Sequence, residues 1–202
     1  MAAQTATEPT PAVPLCVDLD GTLIKTDLLW VSLVRLLRRN PLWLALLPWW
    51  WTKGRAALKR QIASRIGPLE VCRLPYNPEF LDFLRAEHRR GRPLILATAS
   101  DGALARQVAD HLGLFCEVLA SDGKTNLRGA AKLRRLVERC GEGGFDYAGN
   151  SAVDLAVWPR ARAAVVVNAT EALARRAAQL TKVAGTFDER KCRVGGVFKA
   201  LH

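Results

Sequence analysis

The chain has 202 residues, half of them hydrophobic, and carries a formal net charge of +11. This length and composition allow one substantial buried core, with room for a small insertion. The five cysteines are scattered without paired spacing, which argues against a disulfide framework or a zinc site and for a reducing compartment.

The amino terminus, residues 1–14, has no basic residue and no apolar run, so we do not expect a signal peptide. Its alanine, threonine and proline content predicts a disordered lead-in over residues 1–13. The folded part of the chain is therefore expected to begin at residue 14.

The run Leu15–Thr22 predicts a short buried strand that ends in two carboxylates, Asp18 and Asp20. Because side chains alternate along a strand, both acids leave it on the same side. Gly21 lets the backbone turn away at once, which places the acids at the strand's carboxyl end, where open α/β sheets bind ligands. Two crowded acids repel each other unless a cation neutralises them. Phosphoryl transfer needs such a set, with one acid to attack, one to move protons and a divalent cation; an acidic surface turn is the alternative.

Residues 28–68 form a basic, tryptophan-rich block with eight lysines and arginines, five of the six tryptophans and no acidic residue. A helix is predicted over 28–39, with Asp27 as its amino-terminal cap. Pro41 follows the end of this helix, and a second apolar run covers 42–51. A membrane span takes about 20 apolar residues, so neither run is long enough to cross a bilayer.

The rest of the chain alternates helices with apolar strands that lack polar alternation. This pattern predicts an α/β fold with a parallel, doubly wound sheet of the Rossmann type. Strands are predicted at 94–97, 115–120, 145–148 and 163–167, a polar loop at 122–129, and helices at 58–66, 78–90, 102–112, 131–140, 152–161 and 171–180, the last of which closes the fold.

Polar residues stand after the later strands, much as the two acids follow the first. Thr98 and Ser100 follow the strand at 94–97, and Asn150 and Asp154 follow the strand at 145–148. Between them, Lys132 lies at the head of the helix at 131–140, and Lys124 is a weaker candidate for the same lysine position.

Together with the DLDGT run, these residues stand in the order of the four motifs of the haloacid-dehalogenase-like (HAD) phosphohydrolases, which the chain resembles over nearly its whole length. The resemblance implies a core domain of residues 14–27 and 78–202, with residues 28–77 inserted as a small helical cap. It also implies a Mg²⁺-dependent phosphatase that hydrolyses a phosphomonoester through an aspartyl-phosphate.

By the same resemblance, Asp18 attacks phosphorus, and Asp20 protonates the departing oxygen before taking a proton from the hydrolytic water. The residues that would bind the phosphoryl oxygens are Thr98, Ser100 and Lys132. The Mg²⁺ ligands would be Asp18, the main-chain carbonyl of Asp20, and Asn150 or Asp154.

Asn150 departs from the resembled pattern, which has a metal-binding carboxylate at that position. An amide oxygen still ligates a hard cation but adds no negative charge. We therefore expect weaker metal binding unless Asp154 contributes directly or through a water. A site that has lost its activity is the alternative.

Four stretches resemble more narrowly the HAD-like domain that precedes UbiA-like membrane prenyltransferases in bacteria: VDLDGTLIKTDLLW, LATASD, LASDGKTNLRG and YAGNSAVDLAVW. This implies a domain at the cytoplasmic face of the membrane, a lipid-linked or prenyl-pathway substrate, and a UbiA-like prenyltransferase as partner. The chain is then either free-standing or the amino-terminal part of a longer protein. The alternative function is a membrane-docking accessory module with weak or no activity.

The basic, tryptophan-rich block has two interpretations. Tryptophan beside arginine and lysine is the composition of a lipid headgroup boundary, which predicts contact with an anionic membrane surface. Alternatively, the tryptophans pack on the core and the arginines face solvent, where they draw an anionic phosphate ester toward the site. No nucleic-acid-binding module is recognisable, so we expect no nucleic-acid partner.

Overall fold

The computed structural model describes residues 12–188 of the chain. The predicted disordered lead-in lies outside the described residues except for its last two, and Cys192 also lies outside them. Within residues 12–188 the cysteines carry free thiols: Cys16, Cys72, Cys116 and Cys140.

A single sheet of parallel strands forms the centre of the described chain. Its strands are β1 (Leu15–Val17), β2 (Leu94–Asp101), β3 (Glu117–Ser121), β4 (Asp146–Gly149), β5 (Ala163–Val167) and β6 (Lys182–Phe187). Their spatial order is β3-β2-β1-β4-β5-β6, and every neighbouring pair is parallel. The predicted doubly wound α/β fold is confirmed.

Helices connect the strands. The α-helices are α1 (Leu28–Arg39), α2 (Leu47–Thr52), α3 (Arg55–Ile66), α4 (Pro78–Arg89), α5 (Gly102–Leu112), α6 (Ala130–Cys140) and α7 (Glu171–Leu180). Short 3-10 helices cover Pro41–Leu46, Val71–Arg73, Ala152–Ala156 and Trp158–Arg160.

Strand β1 lies in the middle of the sheet and is buried on both faces. Leu15 and Val17 belong to the apolar cluster on one face, while Cys16 belongs to the cluster on the other, as the alternation of a strand requires. The chain runs outward from β1 through β2 to β3, and outward on the other side from β4 to β6. The order therefore reverses between β1 and β4, and the carboxyl ends of these two strands form the crevice in which such sheets bind ligands.

Three elements differ from the sequence prediction by more than a few residues at an end or in type. Strand β2 continues to Asp101 instead of stopping at residue 97, so the polar residues that follow 97 are part of the strand. The predicted helix over 152–161 is instead a pair of 3-10 helices, since Pro159 has no N–H to continue a helical ladder. The helix α7 does not close the fold, because β6 follows it and pairs with β5 at the edge of the sheet.

The 28–77 segment is helical. Helix α1 has the predicted bounds, and the Asp27 side chain accepts a hydrogen bond from the Leu29 N–H at 2.7 Å, as a cap should. Leu28, Leu36 and Trp50 join the same apolar cluster as β1, so the segment packs onto one face of the core. Between residues 12 and 188 there is no helix both long and apolar enough to cross a bilayer.

Candidate active site

Asp18 stands directly after β1 with its carboxylate almost fully buried. Its main-chain N–H donates to the carbonyl of Ala148 in β4 at 3.0 Å, which fixes its backbone in the crevice between the two strands. The Lys132 ammonium, also buried, donates to Asp18 Oδ1 at 2.6 Å. The Thr22 hydroxyl lies 3.5 Å from Oδ2, so that oxygen has a weaker partner than Oδ1.

The turn after β1 requires glycine. Gly21 has φ of +79°, and a Cβ there would lie 2.0 Å from the side-chain nitrogen of Asn150. The Asn150 amide therefore rests directly over this turn, beside the two acids. Strands β1 and β4 are neighbours, so the sheet brings together residues that are 130 positions apart in the chain, Asp20 and Asn150.

Asp20 is held by three partners from two parts of the chain. Its Oδ1 accepts the Leu28 N–H at 2.7 Å, at the positive amino-terminal end of α1. Its Oδ2 accepts the Ser100 hydroxyl at 2.7 Å, and the Thr98 hydroxyl lies 3.4 Å from the same oxygen. The carboxylate is thus fixed between the first turn of the 28–77 segment and the carboxyl end of β2.

Thr98 and Ser100 were predicted to bind phosphoryl oxygens, and the structure places both beside Asp20. Both are buried, and the described residues that line the site cavity include their neighbour Ala99 but neither of them. In this arrangement their hydroxyls orient Asp20.

A buried chain of hydrogen bonds continues behind Asp18. Lys132 donates to the Tyr147 hydroxyl at 2.9 Å, and Tyr147 donates to Asp154 Oδ1 at 2.8 Å. Burial, with Asp154 nearby, raises the pKa of Tyr147 well above its usual range, so the phenol keeps its proton and remains a donor. Gly149 makes room for Asp154, since a Cβ there would lie 2.7 Å from the carboxylate.

Burial raises the pKa of both acids that follow β1, Asp18 and Asp20. It raises the pKa of Asp18 to about 7, because the loss of solvation outweighs the pairing with Lys132. Burial also raises the pKa of Asp20, against the lowering effect of the Ser100 hydrogen bond. Asp20 is therefore suited to giving a proton to a leaving group. Asp18 would be stabilised as an anion by further positive charge in the site.

A cavity of about 230 Å³ lies at the carboxyl ends of β1 and β4. Five of the residues described above line it: Asp18, Asp20, Lys132, Asn150 and Asp154. Two basic residues that the sequence analysis did not single out, Lys59 and Arg128, also line it. Lys59 reaches the site from α3, and its ammonium donates to the carbonyl of Ala99 at 2.6 Å and to Asn126 Oδ1 at 3.3 Å. The 28–77 segment is thereby tied to β2 and to the loop before α6 at the mouth of the cavity.

Comparison with known proteins agrees with this geometry. A family model described as haloacid dehalogenase-like hydrolase matches residues 15–158, more than half of the chain. The chain belongs to the HAD-like hydrolase family. This assignment confirms the broader of the two resemblances found in the sequence.

Individual proteins match the chain in sequence or in fold. The uncharacterized protein y4nM of Sinorhizobium fredii is 41% identical over 155 residues, which are 77% of this chain and 30% of that protein, so the chain spans about a third of its length. A Bordetella pertussis Tohama I protein of unknown function matches with a TM-score of 0.66 at 16% identity, over 89% of this chain and 99% of that one. A phospho-aspartyl intermediate analogue of phosphoserine phosphatase matches with a TM-score of 0.57 at 13% identity, over 90% and 97% of the two chains.

The oxygen donors of this HAD-like site fit a hard divalent cation, although few of them carry a negative charge. Within residues 12–188 no group of three or more His, Cys, Asp or Glu side chains could hold a metal ion. Asp154 Oδ2 already accepts the N–H groups of Asn150 and Ser151 and the Ser151 hydroxyl, and its other oxygen is bonded to Tyr147. The Asp18 carboxylate and the Asn150 amide remain beside the cavity, and oxygen donors of this kind suit Mg²⁺.

The residues missed by sequence analysis carried little local signal. Lys59 is one of eight basic residues in its block, and its contacts lie 40 and 67 positions away in the chain. Tyr147 offered a clearer signal, since it is the polar aromatic residue in a buried strand that leads directly into the last motif. Its hydroxyl needs a partner when buried, and the nearby acid was available to supply one.

Proposed function

We propose that this HAD-like protein is a Mg²⁺-dependent phosphatase that hydrolyses a phosphomonoester through an aspartyl-phosphate on Asp18. The observation that carries the proposal is the pairing of Lys132 with Asp18 Oδ1, which leaves Oδ2 to attack. Attack forms the bond from Oδ2 to phosphorus and breaks the bond from phosphorus to the leaving oxygen. Asp20 protonates that oxygen as it departs.

The second half of the reaction returns the site to its starting state. A water oxygen attacks phosphorus, Asp20 takes the water's proton, and the bond between phosphorus and Asp18 breaks to release inorganic phosphate. Lys132 stabilises the anionic charge on Asp18 and on the phosphoryl group. The hydrogen bonds from Ser100 and the Leu28 N–H keep Asp20 in one position through both proton transfers.

Mg²⁺, held by Asp18, the main-chain carbonyl of Asp20 and Asn150, would offset the charge between nucleophile and phosphoryl oxygens when bound. The 28–77 segment would act as the cap of the domain, because Lys59 brings it to the mouth of the cavity. The test is release of inorganic phosphate from p-nitrophenyl phosphate and a panel of phosphate esters, with Mg²⁺ and with EDTA. Hydrolysis that needs Mg²⁺ supports the proposal, and no hydrolysis of any ester opposes it.

The asparagine at position 150 yields a separate prediction. Asn150→Asp adds a negative charge beside Asp18, so the Mg²⁺ concentration for half-maximal activity should fall about tenfold. The same titration followed by thermal melting should show a matching shift, because a cation that binds only the folded protein raises its melting temperature.

Asn40→Asp is the matched control, since it adds the same charge at the end of α1, outside the cavity lining. It should leave the Mg²⁺ dependence unchanged. If Asn150→Asp also leaves it unchanged, the amide of Asn150 is not a metal ligand.

A second candidate function rests on the narrower resemblance. The substrate would be a lipid-linked or prenyl-pathway phosphate ester, and the protein would act at the cytoplasmic face of the membrane beside a UbiA-like prenyltransferase. Exposed tryptophans on the 28–77 segment support this placement. Including prenyl phosphates in the ester panel tests the substrate. A protein that binds membranes but releases no phosphate from any ester would be an accessory module instead.

A further inference from the structure

The large apolar side chains exposed within residues 12–188 are concentrated in one segment. Apart from Leu180 at the end of α7, all of them lie between residues 30 and 51. They are Trp30, Leu42, Leu44, Leu46, Trp49 and Trp51. Single exposed apolar residues are normal on protein surfaces, but a cluster of this size marks an interaction site.

Five of these residues form what we call the apolar ridge: Leu42, Leu44, Leu46, Trp49 and Trp51. They lie on the 3-10 helix at Pro41–Leu46 and on α2 (Leu47–Thr52), which follows it directly. Leu42 is 77% exposed, and Trp49 and Trp51 are each 57% exposed.

The ridge is held firmly by the residues between its exposed members. Trp50 is buried, its ring lies 5.8 Å from that of Trp43, and the Arg65 guanidinium lies over both rings. These two tryptophans anchor the segment to α3, so the ridge presents its side chains without further folding. A surface that is preorganised in this way loses little conformational entropy on binding.

Positive charge accompanies the ridge. The Lys53 ammonium lies 3.7 Å from the ring centre of Trp49, and the Arg55 guanidinium lies 5.6 Å from that of Trp51. Arg38 and Arg39, at the end of α1, directly precede the ridge and are exposed. No acidic residue occurs from residue 28 to residue 69.

A groove of about 660 Å³ is formed by α1 and residues 69–74, and it also combines apolar and basic side chains. Trp30 and the apolar side chains of Val34 and Leu74 line it, together with Arg38 and Arg39. Glu70 lines it as well, but its carboxylate is paired with Arg35 and Arg73. The groove therefore offers apolar walls beside Arg38 and Arg39, which form no ion pair with any residue from 12 to 188, and this combination suits an amphiphilic anion.

We propose that the apolar ridge and the arginines that precede it dock on the surface of an anionic phospholipid bilayer. Tryptophan and leucine would enter the boundary between headgroups and acyl chains, and the basic side chains would contact lipid phosphates. A second copy of this chain fits the surface poorly, because two blocks rich in arginine and lysine would face each other without an acidic counterpart.

Co-sedimentation with vesicles tests the proposal. The protein should bind vesicles of phosphatidylcholine with 30% phosphatidylglycerol, and bind those of phosphatidylcholine alone far less. Trp49→Ser with Trp51→Ser should remove most of the binding. Arg38→Gln with Arg39→Gln should weaken it about thirtyfold, because each basic residue at an anionic surface contributes about a fivefold factor.

Two matched controls separate the ridge from general surface properties. Leu180→Ser removes an exposed apolar residue elsewhere, and Arg175→Gln with Arg176→Gln removes two exposed arginines from α7. Both should bind as the unmodified protein does, and all variants should keep its melting temperature within a few degrees.

The docking proposal fails if the protein does not bind anionic vesicles, or if the control variants lose as much binding as the ridge variants. Sedimentation equilibrium tests the alternative that a second copy of this chain binds the ridge. A dimer that dissociates in the Trp49→Ser, Trp51→Ser variant would assign the ridge to self-association. Neither result touches the phosphatase proposal, because the substituted residues lie outside the cavity that holds Asp18.

Discussion

Asp18→Asn should abolish phosphate-ester hydrolysis, lowering kcat by about a thousandfold or more, as loss of a nucleophile does. The variant should remain folded. Its amide can still accept the Lys132 hydrogen bond, and it avoids the cost of burying an anion that raises the pKa of Asp18. We expect the melting temperature to stay within about 4 °C, which for a chain of this size corresponds to about 1–2 kcal/mol. Phosphate release and differential scanning fluorimetry measure the two quantities.

Asp110→Asn provides the matched control, because it removes an exposed carboxylate from α5 and should leave kcat unchanged. A phosphoryl analogue such as beryllium fluoride with Mg²⁺ should raise the melting temperature of the unmodified protein and not that of Asp18→Asn. An unchanged rate in Asp18→Asn would overturn the aspartyl-phosphate mechanism.

Lys132→Met should have the second largest effect, and on two properties at once. Removing a charged donor aimed at the reacting group should lower kcat by about a hundredfold to a thousandfold. It also leaves Asp18 buried without its cation, and breaking such a pair costs about 3–5 kcal/mol when the remaining group is charged. The loss of stability should therefore depend on the protonation of Asp18.

The sign of that dependence follows from the raised pKa of Asp18. The folded protein holds this proton more tightly than the unfolded chain, so its stabilising contribution is present at low pH and is lost as the pH rises toward about 7. Because Lys132 lowers the pKa of Asp18, its removal raises that pKa further and extends the loss to higher pH. Lys132→Met should thus melt close to the unmodified protein at pH 5 and far below it at pH 8.

Thermal melting in EDTA across pH 5–8 measures this difference. Burial acts to raise the pKa of Asp146 and of Glu87, but hydrogen bonds from arginines outweigh it and lower both pKa values. These two groups therefore stabilise the folded protein more as the pH rises. Their effect cancels when the variant is compared with the unmodified protein at each pH. Lys124→Met serves as the control, since it removes an exposed lysine from the loop before α6 and should not alter the pH profile. A pH-independent difference for Lys132→Met would contradict the ion-pair assignment.

Local elements such as α1 and β1 could be predicted from the sequence because the residues that define them lie within a few positions of one another. Helix α1 has the predicted bounds, since Asp27 caps it and Asn40 with Pro41 ends it. Strand β1 was predicted from a short apolar run before the two acids. Strand β6 was missed because Ala184 and Gly185 blur the apolar–polar alternation of its sequence. In the structure its residues do alternate between exposed and half-buried, since an edge strand needs burial on one face only.

The candidate site could be predicted from the sequence only in part. Alternation along β1 predicted that Asp18 and Asp20 leave on the same side, and the order of motifs brought Lys132 and Asn150 into consideration. The sequence did not indicate that Thr98 and Ser100 turn toward Asp20, because β2 was expected to stop before them. Contacts across the fold decide such orientations.

The sequence by itself determined the strand and its paired carboxylates, the parallel α/β class and the family, because those depend on residue type and spacing along one chain. Only the tertiary structure decided that Tyr147 joins Lys132 to Asp154, and that Lys59 reaches the cavity from α3. These contacts join side chains on different elements. Their geometry depends on sheet order and helix packing, to which distant parts of the chain contribute together.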